Sequence, residues 1–491
     1  MSIRTEMDAR SHINALPGEL LSHIFESHVA PPPSARVGDK EWREHVKSRL
    51  KEVTGLQLIC RHWRDVAQAT PYLWTAFDTT GELDSKFLQL WHLSLERSGS
   101  LPLELHANGS LSPCAHLVLK SKRVRWLNWG AFSGNHQDVL VHLDGLETLQ
   151  FNEFYSSAGA NPQTELSKLA CYSPRLRSLQ VRWCTWAPSE VFKNLTSLRL
   201  VRYSGKTSDV LLWLKRCPVL QSMIFERPED ENLVDLDSIG VVSVPNLREL
   251  MLSRVPWNQL AAIVPRLDLS PATFVEVHNW KHGSGKVDCA RMLGTSQLHR
   301  MVFISHCNAL VVGPDSGISF SKEKLGEKER SLRWTSELSD MVSTANIQEL
   351  WLSASMQLSQ DLGALLAMLP GLTSIHIDST QLKEVLQNFR RGRDPQGPAP
   401  CPELKVIHVF VQSAAAVMPF LRQYESLLEK LGHLDIVIEH LPNCEVDLKA
   451  LYSVRRPQLL SRVRVVQCEQ KPQAEVPAPF TGLLDSDEDD D

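Results

Sequence analysis

The chain is 491 residues long, 43% hydrophobic and 22% charged, a globular composition that predicts about three domains unless a repeat array carries the length. Its formal net charge of −5 originates at the C-terminus, where Asp485, Asp487 and Glu488–Asp491 supply six acids and leave the rest at +1. The body therefore has no global field for a nucleic-acid backbone or an anionic membrane, and neither is expected as a partner.

Residues 1–11 are expected to be flexible, and a helical module is expected over 12–80. In its first helix Leu16, Leu20, Leu21, Ile24, Phe25 and His28 recur at helical spacing. Pro17 suits the first turn, where its missing N–H costs nothing, and Glu19 complements the N-terminal dipole. The run Pro31–Pro33 ends this helix. An insertion at 29–55 contains a charged helix over 41–53, with Trp42, Val46, Leu50 and Val53 on one stripe. A further helix runs through Leu56, Ile59, Cys60, Trp63 and Ala67, until Pro71 stops it at Thr70. Leu73 and Trp74 form a closing turn that tucks Trp74 under the helix pair.

The combination L-P-x-E-L-L-x-x-I-F, then C-R-x-W-R, then L-W resembles the F-box, the module that plugs a protein into a Skp–cullin–RING ubiquitin ligase. The resemblance implies that a Skp-family adaptor is bound through Leu16 and Pro17 of the leading loop and Leu20, Leu21, Ile24 and Phe25 of the first helix. It adds Leu56, Ile59, Cys60 and Trp63 of the second helix and the closing pair Leu73 and Trp74. The insertion departs from the usual pattern and is similar to F-box-like proteins of mushroom-forming fungi. Physically, so small a helical module buries little surface alone, and leftover apolar groups such as Leu20, Ile24 and Phe25 invite a partner helix.

Past residue 100 the chain repeats. Pro174–Val181, Pro218–Phe225, Pro245–Leu252, Pro370–Ile377 and Pro402–Val409 share P-x-L-x-x-Φ-x-Φ, where Φ is apolar. Related strands without the proline begin at Leu146, Leu195, Ala272, Leu298 and Ile347. Starts at 195, 220, 247, 272 and 298 are 25 to 27 residues apart, within the leucine-rich-repeat range. The wider gap from 298 to 347 predicts a degenerate unit around Val311–Phe320. Segments 208–217 and 359–369 read as helices between strands. The predicted fold class is α/β: a small N-terminal α-helical F-box, then a leucine-rich-repeat solenoid over 81–470 with a strand plus helix per repeat. The proline-rich and acidic stretch 471–491 is expected to be disordered.

Residues between the Φ positions should point away from the helices. Among them Arg182, Arg199, Arg300, Trp351, His376, His408 and Phe410 form the candidate target-binding face, being of types enriched at binding hot spots. Trp351 also has a plainer reading, as an exposed tryptophan covered by a neighbouring strand. Segment 389–400 reads as a solvated loop, with contact of Arg390, Arg391 and Arg393 to an acidic or phosphorylated partner as the alternative. Ser486, ahead of Asp-Glu-Asp, is a plausible site for an acidophilic kinase, though such runs are usually only solubilising.

No catalytic motif, metal site or cofactor is expected. The ten cysteines include no C-x-x-C, so there is no zinc ribbon or RING, and they read as small core residues of a cytoplasmic and/or nuclear protein. No apolar run approaches the ~18–20 residues of a spanning helix, and residues 1–15 lack a signal-peptide core. Gly283-Ser284-Gly285-Lys286-Val287 lacks the leading glycine and closing hydroxyl of a phosphate loop. His278 and His282 read as satisfied surface histidines. The expected role is therefore a non-catalytic substrate receptor of a ubiquitin ligase, with a non-degradative scaffold as the alternative.

Overall fold

The structure, a computed structural model, describes residues 13, 16–29, 39–78, 85–107, 113–130, 142–152, 169–183, 187–228, 239–280, 287, 289, 292, 298–305, 308–314, 316–322, 335–353, 362–391, 401–411, 434–441 and 462–474. The expectations for 1–11, Pro31–Pro33, His282, residues 283–286, 392–400 (with Arg393) and Ser486 fall outside these, as do the side chains of Trp42, Val46, Arg390 and Arg391; residues 389–391, expected in a loop, are helical. The fold is mixed α/β with extensive, mostly parallel sheet. The chain divides into two compact units, Met1–Asn232 and Leu233–Asp491.

The first unit opens with helices α1 (Gly18–His28), α2 (Asp39–Ile59) and α3 (Arg61–Ala69), then a one-turn 3-10 helix at Pro71–Trp74. Strands β1 (Ala76–Asp78), β2 (Leu103–Ala107), β3 (Val124–Trp129), β4 (Thr148–Asn152), β5 (Ser178–Arg182), β6 (Ser197–Val201) and β7 (Ser222–Glu226) pair in chain order, every pair parallel. Parallel neighbours need crossovers, here carried partly by α4 (Ser85–Arg97), α5 (Pro113–Lys120), α6 (Leu169–Tyr172) and α7 (Thr207–Lys215).

The second unit has β8 (Val242–Val244), β9 (Glu249–Ser253), β10 (Leu267–Leu269), β11 (Phe274–His278), β12 (Arg300–Ser305), β13 (Asn308–Val312), β14 (Gly317–Ser321), β15 (Glu349–Leu352), β16 (Ser374–Asp378), β17 (Val406–Val411), β18 (Asp435–His440) and β19 (Val463–Gln467). Helices α8 (Trp257–Ile263), α9 (Thr335–Met341), α10 (Leu362–Ala367) and α11 (Leu382–Arg391) lie between strands. The pairing runs β9-β11-β14-β13-β12-β15-β16-β17-β18-β19, with β8 and β10 as a separate parallel pair.

The repeated P-x-L has a physical cause. In each of the five segments the leucine N–H donates back to the residue before the proline: Leu176 to Ser173, Leu220 to Cys217, Leu247 to Val244, Leu372 to Leu369 and Leu404 to Cys401. This is a four-residue turn with proline at its second position, where its fixed φ fits. The leucine is buried each time, and the alternate Φ residues that follow, such as Leu179 with Val181 and Ile375 with Ile377, fill the core. Two successive N–H groups then share one carbonyl of the preceding strand, as Arg177 and Ser178 do on Glu147 and Thr373 and Ser374 do on Gln348.

The strands also end alike. Trp183, Arg202, Arg227, Arg254 and Asn279 each follow a strand directly and have φ between 50° and 63°. Trp183, Arg202, Arg254 and Asn279 donate their N–H to the last-strand carbonyls of Val201, Glu226, His278 and Ser321. The hydrogen bond holds a left-handed conformation that ordinarily favours glycine.

Two expectations need correction. The helix predicted from Leu56 to Ala67 is broken at Cys60, whose Sγ accepts from the Trp63 N–H at 3.4 Å and caps α3. The inserted helix and the residues up to Ile59 instead form the single helix α2. Among the described residues no degenerate parallel unit lies between β12 and β15, which pair directly, Arg300 against Glu349. Residues 308–321 form the hairpin β13–β14, inserted on the other side of β12 so that β14 runs parallel to β11.

Candidate functional site

In the N-terminal module Leu21, Phe25, Val29, Val53, Leu56, Trp63, Val66, Ala67, Leu73 and Trp74 make one core, with Leu16 and Cys60 partly buried against it. Phe25 and Trp63 meet with ring centroids 5.0 Å apart, and Trp74 Nε1 donates to Ala67 O at 2.9 Å, tucking the indole under α3. Thus Leu21, Phe25, Leu56, Trp63, Leu73 and Trp74 hold the module together. The outward set is different: Leu20 is 50% exposed, Ile24 41% and Ile59 53%, and Leu58, which the sequence reading passed over, is 74% exposed. Pro17 is exposed as well.

The inserted helix is fastened to the sheet of the same unit. Arg49, 1% exposed, donates through Nη2 to Tyr72 O at 2.7 Å and Thr75 Oγ1 at 2.9 Å, and its Nη1 lies 3.6 Å from Glu104 Oε2. Burial pushes the Glu104 carboxyl above its usual range, with Arg49 opposing the rise. Leu50 packs beside Ala76 with Trp126.

The first unit also carries Arg182 and Arg199, on β5 and β6. Arg199 is committed to a neighbour, with Nη2 3.0 Å from Glu226 Oε2 on β7. In register beside it lies a buried polar row of His106, Asn128, Gln150 and Gln180, linked in part by Asn128 Nδ2 donating to Gln150 Oε1.

The second unit brings the other five predicted residues together. Val302, Trp351, His376, His408 and Val437 are register partners on β12, β15, β16, β17 and β18. The Trp351 and His376 rings stack at 3.7 Å and 2°, and His376 and His408 at 4.1 Å and 13°. Arg300 Nε donates to Glu349 Oε2 at 2.6 Å at one end, and His408 Nδ1 to Glu439 Oε1 at 2.8 Å at the other. Burial raises the Glu349 carboxyl, but the Arg300 hydrogen bond and charge, with Trp351 and His376, bring it below the usual carboxylate range. Burial, helped by His408, lowers His376 to about 3, so both stacked imidazoles do not have to carry charge.

Val302, Trp351, His376, His408 and Glu439 line a cleft of about 190 Å³, together with Asp378, Phe410 and Lys471–Ala474, while Arg300 and Glu349 stay outside it. At its apolar end Val302, Ile304 and Ala474 belong to a buried cluster with Phe274, Leu310 and Val312, with Trp351 alongside. Lys471–Ala474, expected to be disordered, instead lies against the strands. Glu439 and this segment are the parts that the sequence reading missed.

Among the described residues one group could hold a metal ion: His376, His408 and Glu439 offer ligand atoms within 4.8 Å of one another. Near-parallel rings aim their in-plane lone pairs side by side, so coordination would require the stack to tilt. Cys217 and Cys401 are poor nucleophiles, because burial pushes both thiols up to about 12. No described helix is long and apolar enough to cross a membrane. Compared with known proteins, the chain matches no family model and no curated relative.

Proposed function

We infer that the chain is the substrate-recognition subunit of a Skp–cullin–F-box ubiquitin ligase. Its N-terminal helices, read as an F-box, dock on the Skp-family adaptor. The strand units, read as degenerate leucine-rich repeats, hold a target protein. The observation that carries the reading is the division of labour in α1: Leu21 and Phe25 build the core, while Leu20 and Ile24, one turn apart, leave an apolar stripe in water. An amphipathic helix normally buries its apolar residues on one side, so a second apolar stripe is best explained by a partner helix.

Such a receptor contributes no acid, base or nucleophile. It raises the effective concentration of a target lysine at the conjugating enzyme's thioester. The test is Leu20→Asp with Ile24→Asp in the full chain. Both side chains are half in solvent, so the fold should survive by circular dichroism while co-purification of the Skp adaptor is lost. Undiminished co-purification overturns the reading.

A further inference from the structure

The segment after β19 turns back over the sheet it has just completed. Cys468 still follows the strand pattern, its N–H donating to His440 O at 2.8 Å. Lys471 then places its ammonium 5.8 Å from the centre of the Phe410 ring on β17. Three residues later Ala474 is 7% exposed among Phe274, Val302, Ile304, Leu310 and Val312. From β17 to β12 is three strand spacings, about 14 Å, and three extended residues span about 10 Å. The segment therefore crosses the strands, and side chains rather than ladder hydrogen bonds hold it.

The two ends differ in chemistry. The ammonium lies over the Phe410 ring, whose register partners on β16 and β18, Asp378 and Glu439, leave this end negative although their carboxylates already accept from Thr380 and His408. The other end is a patch of five apolar residues that buries the methyl group of Ala474. Between them the stacked Trp351, His376 and His408 floor the cleft, against Pro472 and Gln473.

We propose that this cleft is a peptide-binding groove and that Lys471–Ala474 is its built-in ligand, which a target segment must displace. The groove takes an extended protein segment carrying a basic residue three positions ahead of a small apolar one. The proposal rests on the reading of the strand face as a binding surface, and is independent of the adaptor.

The experiment uses the full chain, wild type and Ala474→Asp, with a fluorescent peptide of residues 469–476 followed by anisotropy. A buried carboxylate in the apolar patch ejects the segment, so the variant binds the peptide at least about tenfold more tightly than wild type, whose groove is occupied. Peptides carrying A474D or K471E fail to bind. Equal affinity for both chains, or no binding to the variant, overturns the proposal. Should Ala474→Asp lose its folded signal, Lys471→Glu in the full chain replaces it, at an exposed side chain, with the same direction expected. Adaptor co-purification is measured on the same samples. Retained adaptor with no peptide binding overturns the groove alone, whereas peptide binding with adaptor unaffected by the Leu20 and Ile24 substitutions overturns the ligase reading alone.

Discussion

Arg49→Met asks whether the inserted helix is a strut of the N-terminal module. The guanidinium is buried, makes two hydrogen bonds, stacks 4.6 Å over the Tyr72 ring and sits 3.6 Å from the Glu104 carboxylate, itself only 13% exposed. Methionine keeps much of the volume but leaves that carboxylate buried without its counter-charge, a loss of about 3–5 kcal/mol. The penalty depends on pH. Without Arg49 nothing opposes the burial that already raises Glu104 above 4.5. The folded variant then holds a proton that the unfolded chain releases near 4.5. Stability from the protonated carboxyl is complete below that value and is lost as pH rises through the raised one, by up to ~1.4 kcal/mol per pH unit. Urea denaturation at pH 5 and pH 8 should therefore show a larger penalty at pH 8, and Glu104→Gln in the same chain should restore much of the loss and remove the extra pH dependence. A penalty below about 1 kcal/mol, equal at both pH values and additive with Glu104→Gln, would mean a solvated pair of the kind that contributes little, and would refute the strut.

His376 titrates at about 3 in the folded chain against an ordinary 6.5. Its neutral form contributes stability that is complete above pH 6.5 and is lost as pH falls from there towards 3, because the unfolded chain takes up the proton first. His376→Phe keeps a ring in the stack and should flatten the urea midpoint across that window; an unchanged slope would count against the buried neutral imidazole. Gly371 stands in the turn of the Pro370 segment, where an added Cβ would lie 2.4 Å from Ala345 O. That atom is backbone and cannot swing aside, so Gly371→Ala should cost about 1–3 kcal/mol, read as a lowered melting temperature. A wild-type melting temperature would deny the close approach of successive turns.

What the sequence made legible follows from period and turn chemistry. Proline at the second turn position and alternating apolar residues are local signals, so the P-x-L strands of His376 and His408 could be placed from them, and the proline-free strand of Trp351 from alternation and spacing. The left-handed residues at the strand ends could not, because Trp183, Arg202 and Arg254 stand where glycine would have announced the conformation; a hydrogen bond to the next strand holds them instead. The hairpin β13–β14 had a signal that the repeat spacing masked: Gly313-Pro314-Asp315-Ser316 is turn chemistry, and Gly313 N–H donates to Ser316 O at 2.9 Å.

The end of the chain was misread for a different reason. Composition tests whether a segment can build a core of its own, and Lys471–Ala474 plainly cannot. It does not test whether a core face already built by others lacks one methyl group. Phe274, Val302, Ile304, Leu310 and Val312 lie on the face turned from the helices, where an open sheet alternates to polar residues. Five apolar side chains there need a cover, and Ala474 is one. Phe410, called an outward binding residue from its alternation, is 6% exposed in the same surroundings. Apolar content on the nominally solvated positions of consecutive strands is thus a sequence signal in its own right: it marks where something outside the ladder must lie across it. In this chain the covering segment comes from the same polypeptide and leaves a cleft beneath it, so any partner that recognises the face through Trp351 and Phe410 competes with Lys471–Ala474 for the same contacts.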